Sequence, residues 1–240
     1  MKYAWGGMKL PPWINDAFTA ERVPAAMMDR LWAEGWRHFG TEFFRYSVGF
    51  QSMRPEWIVP LRIVLADFHE SKNQRRVRRK NEDVTWEIRP VSITPEATAL
   101  FEKHKERFRD NVPDSLEVFL GSAPAQGPCP MLELRASVED RLFAVSYLSV
   151  GHRSASSAYA IFDPIESRRS PGILTMLKEI EWAKGNGMEF CYPGYATPGP
   201  GIYEYKTRFS ALQGYDWENG EWKDWKEFQK DQMTDGDELL

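Results

Sequence analysis

Ser157-Ala-Tyr-Ala-Ile-Phe-Asp-Pro164 is followed by Arg168-Arg-Ser-Pro-Gly172, a run from Ile173 to Gly185, and Met188-Glu-Phe-Cys-Tyr192. This stretch decides the fold class. Ala155–Phe162 has the alternating, aromatic-rich character of a strand, and Asp163-Pro164 closes it. Ile173, Leu174, Leu177, Ile180, Glu181 and Ala183 form an apolar stripe at helical spacing, stopped by Gly185 and Gly187. Met188–Tyr192 then gives a short strand. Two further strand-like runs, Met131–Val138 and Leu142–Gly151, precede the block. Strand–strand–strand–helix–strand predicts an α+β fold with a mixed sheet covered by helices.

Ser122-Ala-Pro-Ala-Gln-Gly-Pro-Cys-Pro130 is the clearest break in the chain, and divides it into a region 1–121 and a domain 122–240. In the first part, Pro24 opens a short helix Ala25–Ala33 that Gly35 ends. Thr41–Phe50, Trp57–Phe68 and Val84–Val91 read as strands. Ser71–Asn81 holds no Gly or Pro and reads as a helix with Ser71 as its N-cap. Thr94 and Pro95 open another helix reaching about Phe108. Trp217–Trp225, where tryptophan alternates with charge, fits either a helix or an ordered tail.

With 42% hydrophobic residues among 240, the chain can fill one large core or two small ones. No run of eighteen apolar residues occurs, and Met1–Trp13 lacks the basic head and apolar stretch of a secretion signal. A cytoplasmic location without membrane partners is expected. Cys129 and Cys191, the two cysteines, are too far apart for a C-x-x-C pair. Cys191 reads as a buried core thiol and Cys129, between prolines, as an exposed loop residue. The histidines form no H-E-x-x-H pair, so no metal site is expected. The net charge of −4 hides an asymmetry: six cations fall within Lys72–Lys80, whereas nine acids and three cations lie from Tyr215 onward. Such a basic segment attracts phosphate even on an anionic molecule.

The ordered set around the opening block continues with Tyr192-Pro-Gly-Tyr195 and Tyr205-Lys-x-x-Phe209. It resembles the C-terminal domain of the bacterial leucyl-tRNA and eukaryotic arginyl-tRNA protein transferases. Ala66-Asp-Phe68 and Ser71-x-x-Gln74-Arg-Arg-Val-x-Arg79 are similar to a second motif of that family, and the similarity spans about Leu31–Gln213. The resemblance implies an acyltransferase fold of the GCN5-related type, in which two central strands splay apart and the donor lies in the gap. It implies transfer of leucine or arginine from aminoacyl-tRNA to the α-amine of a protein or peptide, with an acidic N-terminal residue as acceptor, as in N-degron formation. The bacterial branch favours leucine. Two departures stand out. The family's N-terminal cysteine cluster, which holds an iron–sulfur centre or other metal, is missing from Tyr46–Arg62; Ser52 is a poor substitute ligand, and no cofactor besides the tRNA co-substrate is expected. Pro171 and Pro198-Gly-Pro-Gly201 also replace the usual residues beside the expected site.

An aminoacyl-tRNA ester is already activated, which agrees with the absence of a nucleotide-binding G-x-x-x-x-G-K-[ST] and of a G-x-S-x-G elbow. The enzyme must align amine and ester, stabilise an oxyanion and protonate the leaving ribose oxygen. Asp163, Lys206 and Tyr195 are the catalytic candidates: Asp163 orients an amine or simply makes a turn, and Lys206 meets the tRNA 3′ end, the oxyanion or only solvent. Arg168 and Arg169, ahead of Gly172 and a helix start, suit an anion or a solvated loop. Tyr159, Tyr192, Gly194 and Tyr205 complete the candidate substrate site, Gly194 allowing close approach of a ligand. Glu179 and Glu181, two apart, face different directions; partial burial and a structural ion pair are expected of Glu181. Lys72, Gln74, Arg75, Arg76 and Arg79 are the candidate tRNA contacts. Trp217, Trp222 and Trp225 pack or form a partner surface.

Three rivals remain. The first is the same chemistry on a specialised peptide acceptor. The second is a coenzyme A–dependent acyltransferase, disfavoured because Pro171 removes an amide from the pyrophosphate cradle and Leu174 stands where a small residue belongs. The third is a tRNA-binding module without activity.

Overall fold

The computed structural model describes residues 12–51, 54–108, 112–198 and 204–229. Residues 1–11, Ser52, Gly199–Gly201 of the Gly/Pro loop and the end of the acidic tail lie outside the described residues. In chain order the elements are β1 (Asn15–Thr19), α1 (Ala25–Ala33), β2 (Arg37–Phe39), β3 (Glu42–Tyr46), β4 (Val48–Gln51), β5 (Arg54–Trp57) and β6 (Val59–Val64). Then come α2 (Lys72–Lys80), β7 (Thr85–Pro90), α3 (Pro95–Lys105), α4 (Glu117–Leu120), β8 (Met131–Val138), β9 (Arg141–Val150) and β10 (Ser154–Phe162). After a 3-10 turn (Pro164–Arg169) follow α5 (Pro171–Gly185), β11 (Phe190–Ala196), β12 (Leu212–Asp216) and β13 (Glu221–Asp224).

An eight-stranded sheet runs β13-β12-β6-β11-β10-β9-β8-β7. It draws strands from both sides of residue 121: β6 sits between β12 and β11, and β7 closes the far edge. β7 to β10 form an antiparallel meander, and the α5 crossover places β11 parallel to β10. The fold is thus α+β, with the strand–helix–strand unit expected of the acyltransferase type. β1-β3-β2 form a small separate sheet, and β4 pairs with β5.

Past the irregularity beside Phe143, residues of β9 alternate between the two faces of the sheet. Ala144 and Leu148 pack under α5 with Leu174, Leu177 and Ile180. Val145 and Tyr147 join Leu100, Phe101 and Leu120 of α3 and α4. Both faces are therefore covered, and eight of ten positions in β9 are buried. A third cluster, Met28, Trp32, Phe43, Cys129 and Tyr192, fastens α1 and β3 to the end of the main sheet.

Three local expectations change. Trp217–Trp225 spans a β-hairpin rather than a helix or tail, because Tyr215 and Asp216 pair with Trp222 and Glu221. Trp217 and Trp225 are buried, while Trp222 donates its indole N–H to the Ala33 carbonyl at 2.9 Å, so packing accounts for these rings. Cys129 is not an exposed loop residue: α1 and β3 cover it, its Sγ stands 3.8 Å from His38 Nε2, and burial pushes its thiol up to about 12. Leu174 does not crowd the turn ahead of α5; it is buried in the main core. The tightest local match is α2, where Ser71 and Gln74 form a reciprocal capping box.

Candidate active site

β10 and β11 pair through only three residues, Ser154–Ser156 against Phe190–Tyr192. Beyond that point they part. β10 carries a bulge that leaves Ala158 unopposed in the ladder with β9, since Ser157 faces Leu148 and Tyr159 faces Tyr147. β11 is irregular over the same level, between Cys191 and Gly194. The gap opens into a cavity of about 580 Å³. Its floor is Ser157–Ala160 and Pro193–Tyr195, its lip is Ser170–Ile173 at the start of α5, and Tyr205 and Lys206 enter from the following turn.

The two ends of the cavity differ. Phe39, Phe119, His104, Phe108, Tyr159 and Phe162 make an aromatic end, with Phe119 and Tyr159 stacked at 3.7 Å between ring centroids. The other end is charged. Arg37 reaches it from β2, Lys206 from the 3-10 turn Glu204–Arg208, and Glu179 lies buried beneath it on α5. A Cβ on Gly194 would stand 3.3 Å from Lys206 Nζ and 3.5 Å from an Arg37 Nη, so both cations converge on this backbone. Gly194 has φ +101°, a conformation that side-chain-bearing residues rarely adopt. Glu179 Oε1 accepts from the Ser157 hydroxyl at 3.1 Å.

Burial governs the protonation of these groups. It lowers Lys206 to about 7, with the nearby Arg37 charge adding to the effect and Glu179 opposing it. It raises the Glu179 carboxyl to about 7 against hydrogen bonds from Ser146 and Ser157. It also lowers Arg37 and holds His104, on the aromatic side, down to about 4. A lysine able to gain and lose a proton near neutrality, set in a cleft, has the properties of a general acid–base group.

The expected site residues divide into two sets. Lys206, Tyr195, Tyr159, Gly172, Gly194 and Tyr205 all line the cavity. Tyr195 also ties β11 to the turn after α1, its hydroxyl donating to the Gly35 carbonyl at 2.7 Å. Tyr205 lies over Gly172, whose added Cβ would touch the ring at 3.5 Å. The other four stand off the cavity wall. Asp163 caps the turn after β10: its carboxylate accepts from the Ile165 N–H at 3.2 Å and pairs with Lys103 at 2.9 Å. Burial alone would raise its pKa, but these partners hold it below the usual carboxylate value. Arg169 makes a two-point ion pair with Asp83, both contacts 2.8 Å, and meets Glu166 at 2.9 Å. Arg168 is exposed, and Tyr192 is buried between Trp32 and Trp222.

Arg37 and Glu179 were not among the expected site residues. For Glu179 a signal was present: it falls seven residues after Gly172 and three after Met176, on a buried helical face. Glu181 instead points outward to Lys178 and Arg78, in the ion pairs expected of it but nearly half exposed. For Arg37 the only sign was an arginine inside an aromatic stretch.

On α2, Lys72, Arg75, Arg76 and Arg79 are exposed, whereas Gln74 is buried and spends its side chain on the capping box. The end of this helix is bound to the cavity's lip. Lys80 donates to the Arg168 carbonyl, and Asn81 Nδ2 donates to the Arg169 carbonyl at 3.0 Å. Among the described residues no group of three His, Cys, Asp or Glu side chains is placed to hold a metal ion.

Residues 96–216 match the model of the arginine-tRNA-protein transferase C-terminus. An aspartate/glutamate leucyltransferase of Xanthomonas euvesicatoria is 32% identical over 168 residues, covering 66% of each chain. One of Stenotrophomonas maltophilia is 29% identical over the same shares. The chain thus spans 66% of the length of the curated relatives it matches. Among solved structures, L-PGS of Bacillus licheniformis aligns at 13% identity with a TM-score of 0.45, covering 78% of this chain and 55% of that one.

Proposed function

The chain belongs to the arginine-tRNA-protein transferase family, and from this premise we propose that it transfers an amino acid from aminoacyl-tRNA to a protein or peptide α-amine. The observation carrying the proposal is the forked β10–β11 pair with Lys206, Gly194 and the Ala158 bulge around one cavity. The terminal aminoacyl ester enters this gap, its amino-acid side chain toward the aromatic end. The donor is leucine, the amino acid in the relatives' names. The acceptor amine approaches at the charged end, where the Arg37 charge favours an Asp or Glu as first residue. A cytoplasmic location follows from such a substrate pair.

The amine nitrogen bonds to the ester carbon and the carbon–oxygen bond to the ribose breaks, leaving an amide and a free tRNA hydroxyl. One proton must travel from nitrogen to ribose oxygen. Neutral Lys206 takes it as the first bond forms and returns it as the second breaks. Main-chain N–H at the bulge faces the developing oxyanion. Tyr195 keeps β11 in place, and Asp163 acts by fixing the turn after β10. Tyr205 and Gly172 shape the lip; Tyr159 forms the aromatic wall. No cofactor takes part. The body of the tRNA lies along α2, where Lys72, Arg75, Arg76 and Arg79 contact phosphates, and Arg168 continues that track toward the lip. In this sense the 1–121 region grips tRNA and 122–240 carries the chemistry, although one sheet spans both. Coenzyme A is disfavoured because Pro171 heads α5 and offers no N–H there.

Peptides beginning with Asp, Glu or Ala, incubated with leucyl- or arginyl-tRNA, test the acceptor by mass spectrometry. The acidic pair is expected to grow by one leucine. Equal extension of the alanine peptide would remove the charged end from acceptor selection.

A further inference from the structure

Where two parallel strands part, the groups facing the gap lose their ladder partners, and a buried carbonyl left unpaired is costly. At this fork one side chain replaces them. Arg37 belongs to the small sheet, yet its guanidinium crosses into the gap and contacts both strands of the main sheet. It donates to the Ser156 hydroxyl at 2.5 Å and to the Ser157 carbonyl on β10, and to the Tyr192 carbonyl at 3.4 Å on β11. Glu179 takes the hydroxyl of the same Ser157. Ser157, the last regular residue before the bulge, is thus held by its carbonyl from β2 and by its side chain from α5. A planar fork of five donors reaches three acceptors on two strands from a fixed geometry, whereas an ammonium's three donors radiate from one point.

We propose that Arg37 is a positioning residue: a strut that holds β10 and β11 apart at the bulge and presents Lys206 to the cavity. The guanidinium and the ammonium meet at Gly194, so the strut also sets the charge around the lysine. The charged groups acting on Lys206 are Arg37 from β2 and Glu179 from α5, and Tyr46 of β3, Tyr195 of β11 and Tyr205 on its own turn line the same cavity. Among these Arg37 is the cation that lowers the lysine, and Glu179 opposes it. Two separable consequences follow. Loss of the charge raises the Lys206 pKa, and loss of the fork geometry slows transfer even where the charge stays.

The catalytic consequence rests on the transfer function proposed above; the protonation consequence does not. Competitive labelling of amines with acetic anhydride from pH 5 to 11, read by peptide mass spectrometry, gives the Lys206 pKa without any turnover. In Arg37→Met it is expected to rise by about one unit, roughly a tenfold change in the acid constant, while staying below an ordinary lysine. In Arg37→Lys it is expected to stay near the wild-type value, while kcat for transfer falls about 100-fold with little change in KM for the aminoacyl-tRNA. If Arg37→Met does not fold, Arg37→Gln, which removes the charge but keeps an amide able to hydrogen-bond part of the fork, should raise the Lys206 pKa in the same way. An unchanged Lys206 pKa in the folded variant, or wild-type turnover by Arg37→Lys, would overturn the strut. Transfer missing from the wild type, with the labelling shift present, would instead refute the proposed function and leave the strut standing.

Discussion

The molecule carries two sets of cations, and they differ in everything but sign. On α2, Lys72, Arg75, Arg76 and Arg79 stand exposed on one short helix. In the fork, Arg37 and Lys206 come from residues far apart in sequence and share a desolvated corner with Glu179. Charges on the surface are screened by salt, act nearly independently and are individually weak. Charges in the fork shift one another's protonation and cannot be exchanged singly without leaving a partner uncompensated. The first set suits a long polyanion held loosely at many points. The second suits a single reacting bond.

The largest effect expected from breaking this contrast is at Lys206. Lys206→Met should lower kcat for transfer by about 10²–10³-fold with tRNA affinity unchanged. In the wild type, kcat/KM should rise with pH through about 7, because the neutral amine is the active form and its folded pKa is lowered to that value. A variant that lost tRNA binding in proportion to turnover would move Lys206 from chemistry to tRNA attachment. At α2 the response should be smaller and of another kind. Arg75→Ala/Arg76→Ala/Arg79→Ala should weaken tRNA binding and make its log–log salt dependence shallower by about 2–3 in slope. Equal binding by both proteins at low salt would take this face out of the interface.

The smallest effect is on stability. His38 and His104 are buried, and burial holds each down to about 4. Between pH about 6.5 and 4 the unfolded chain takes up protons that the folded chain refuses, so stability falls on acidification across that window and not above it. Each histidine contributes about 1.4 kcal/mol per pH unit there. Urea titrations at pH 7 and 5 should show a smaller acid loss for His104→Gln than for the wild type. An identical loss would mean that His104 takes up its proton equally in the folded and unfolded chains.

Legibility in the sequence follows the range of the interactions. α2 was readable because its cap and its charges lie within ten residues: Ser71 and Gln74 close the capping box on each other. β8, β9, β10 and α5 were readable because alternation and helical spacing are local, and Tyr192–Tyr195 and Tyr205–Phe209 added a recognisable order. The cavity wall followed from that order, since Gly172, Gly194, Tyr195 and Lys206 all sit in the motifs. What stayed hidden depends on distant partners. Arg37 gains its meaning from Ser156, Ser157 and Tyr192, more than a hundred residues away. Cys129 looked exposed between two prolines until α1 and β3 were laid over it. The place of β6 between β12 and β11 leaves no local trace, because only the folded chain brings Leu61 beside both Gly194 and Gly214. Asp163 and Arg169 show the opposite risk: a motif residue can serve the frame of a site from behind its wall.

Donor selectivity tests the account most directly. Single-turnover rates with labelled leucyl-tRNA and with acetyl-CoA, measured on the same protein and an Asp-initiated peptide, compare the two chemistries that this fork could hold. Amide formation on the peptide α-amine from leucyl-tRNA is expected, with no release of thiol from acetyl-CoA. Saturable turnover of acetyl-CoA, with no transfer from any aminoacyl-tRNA, would contradict it.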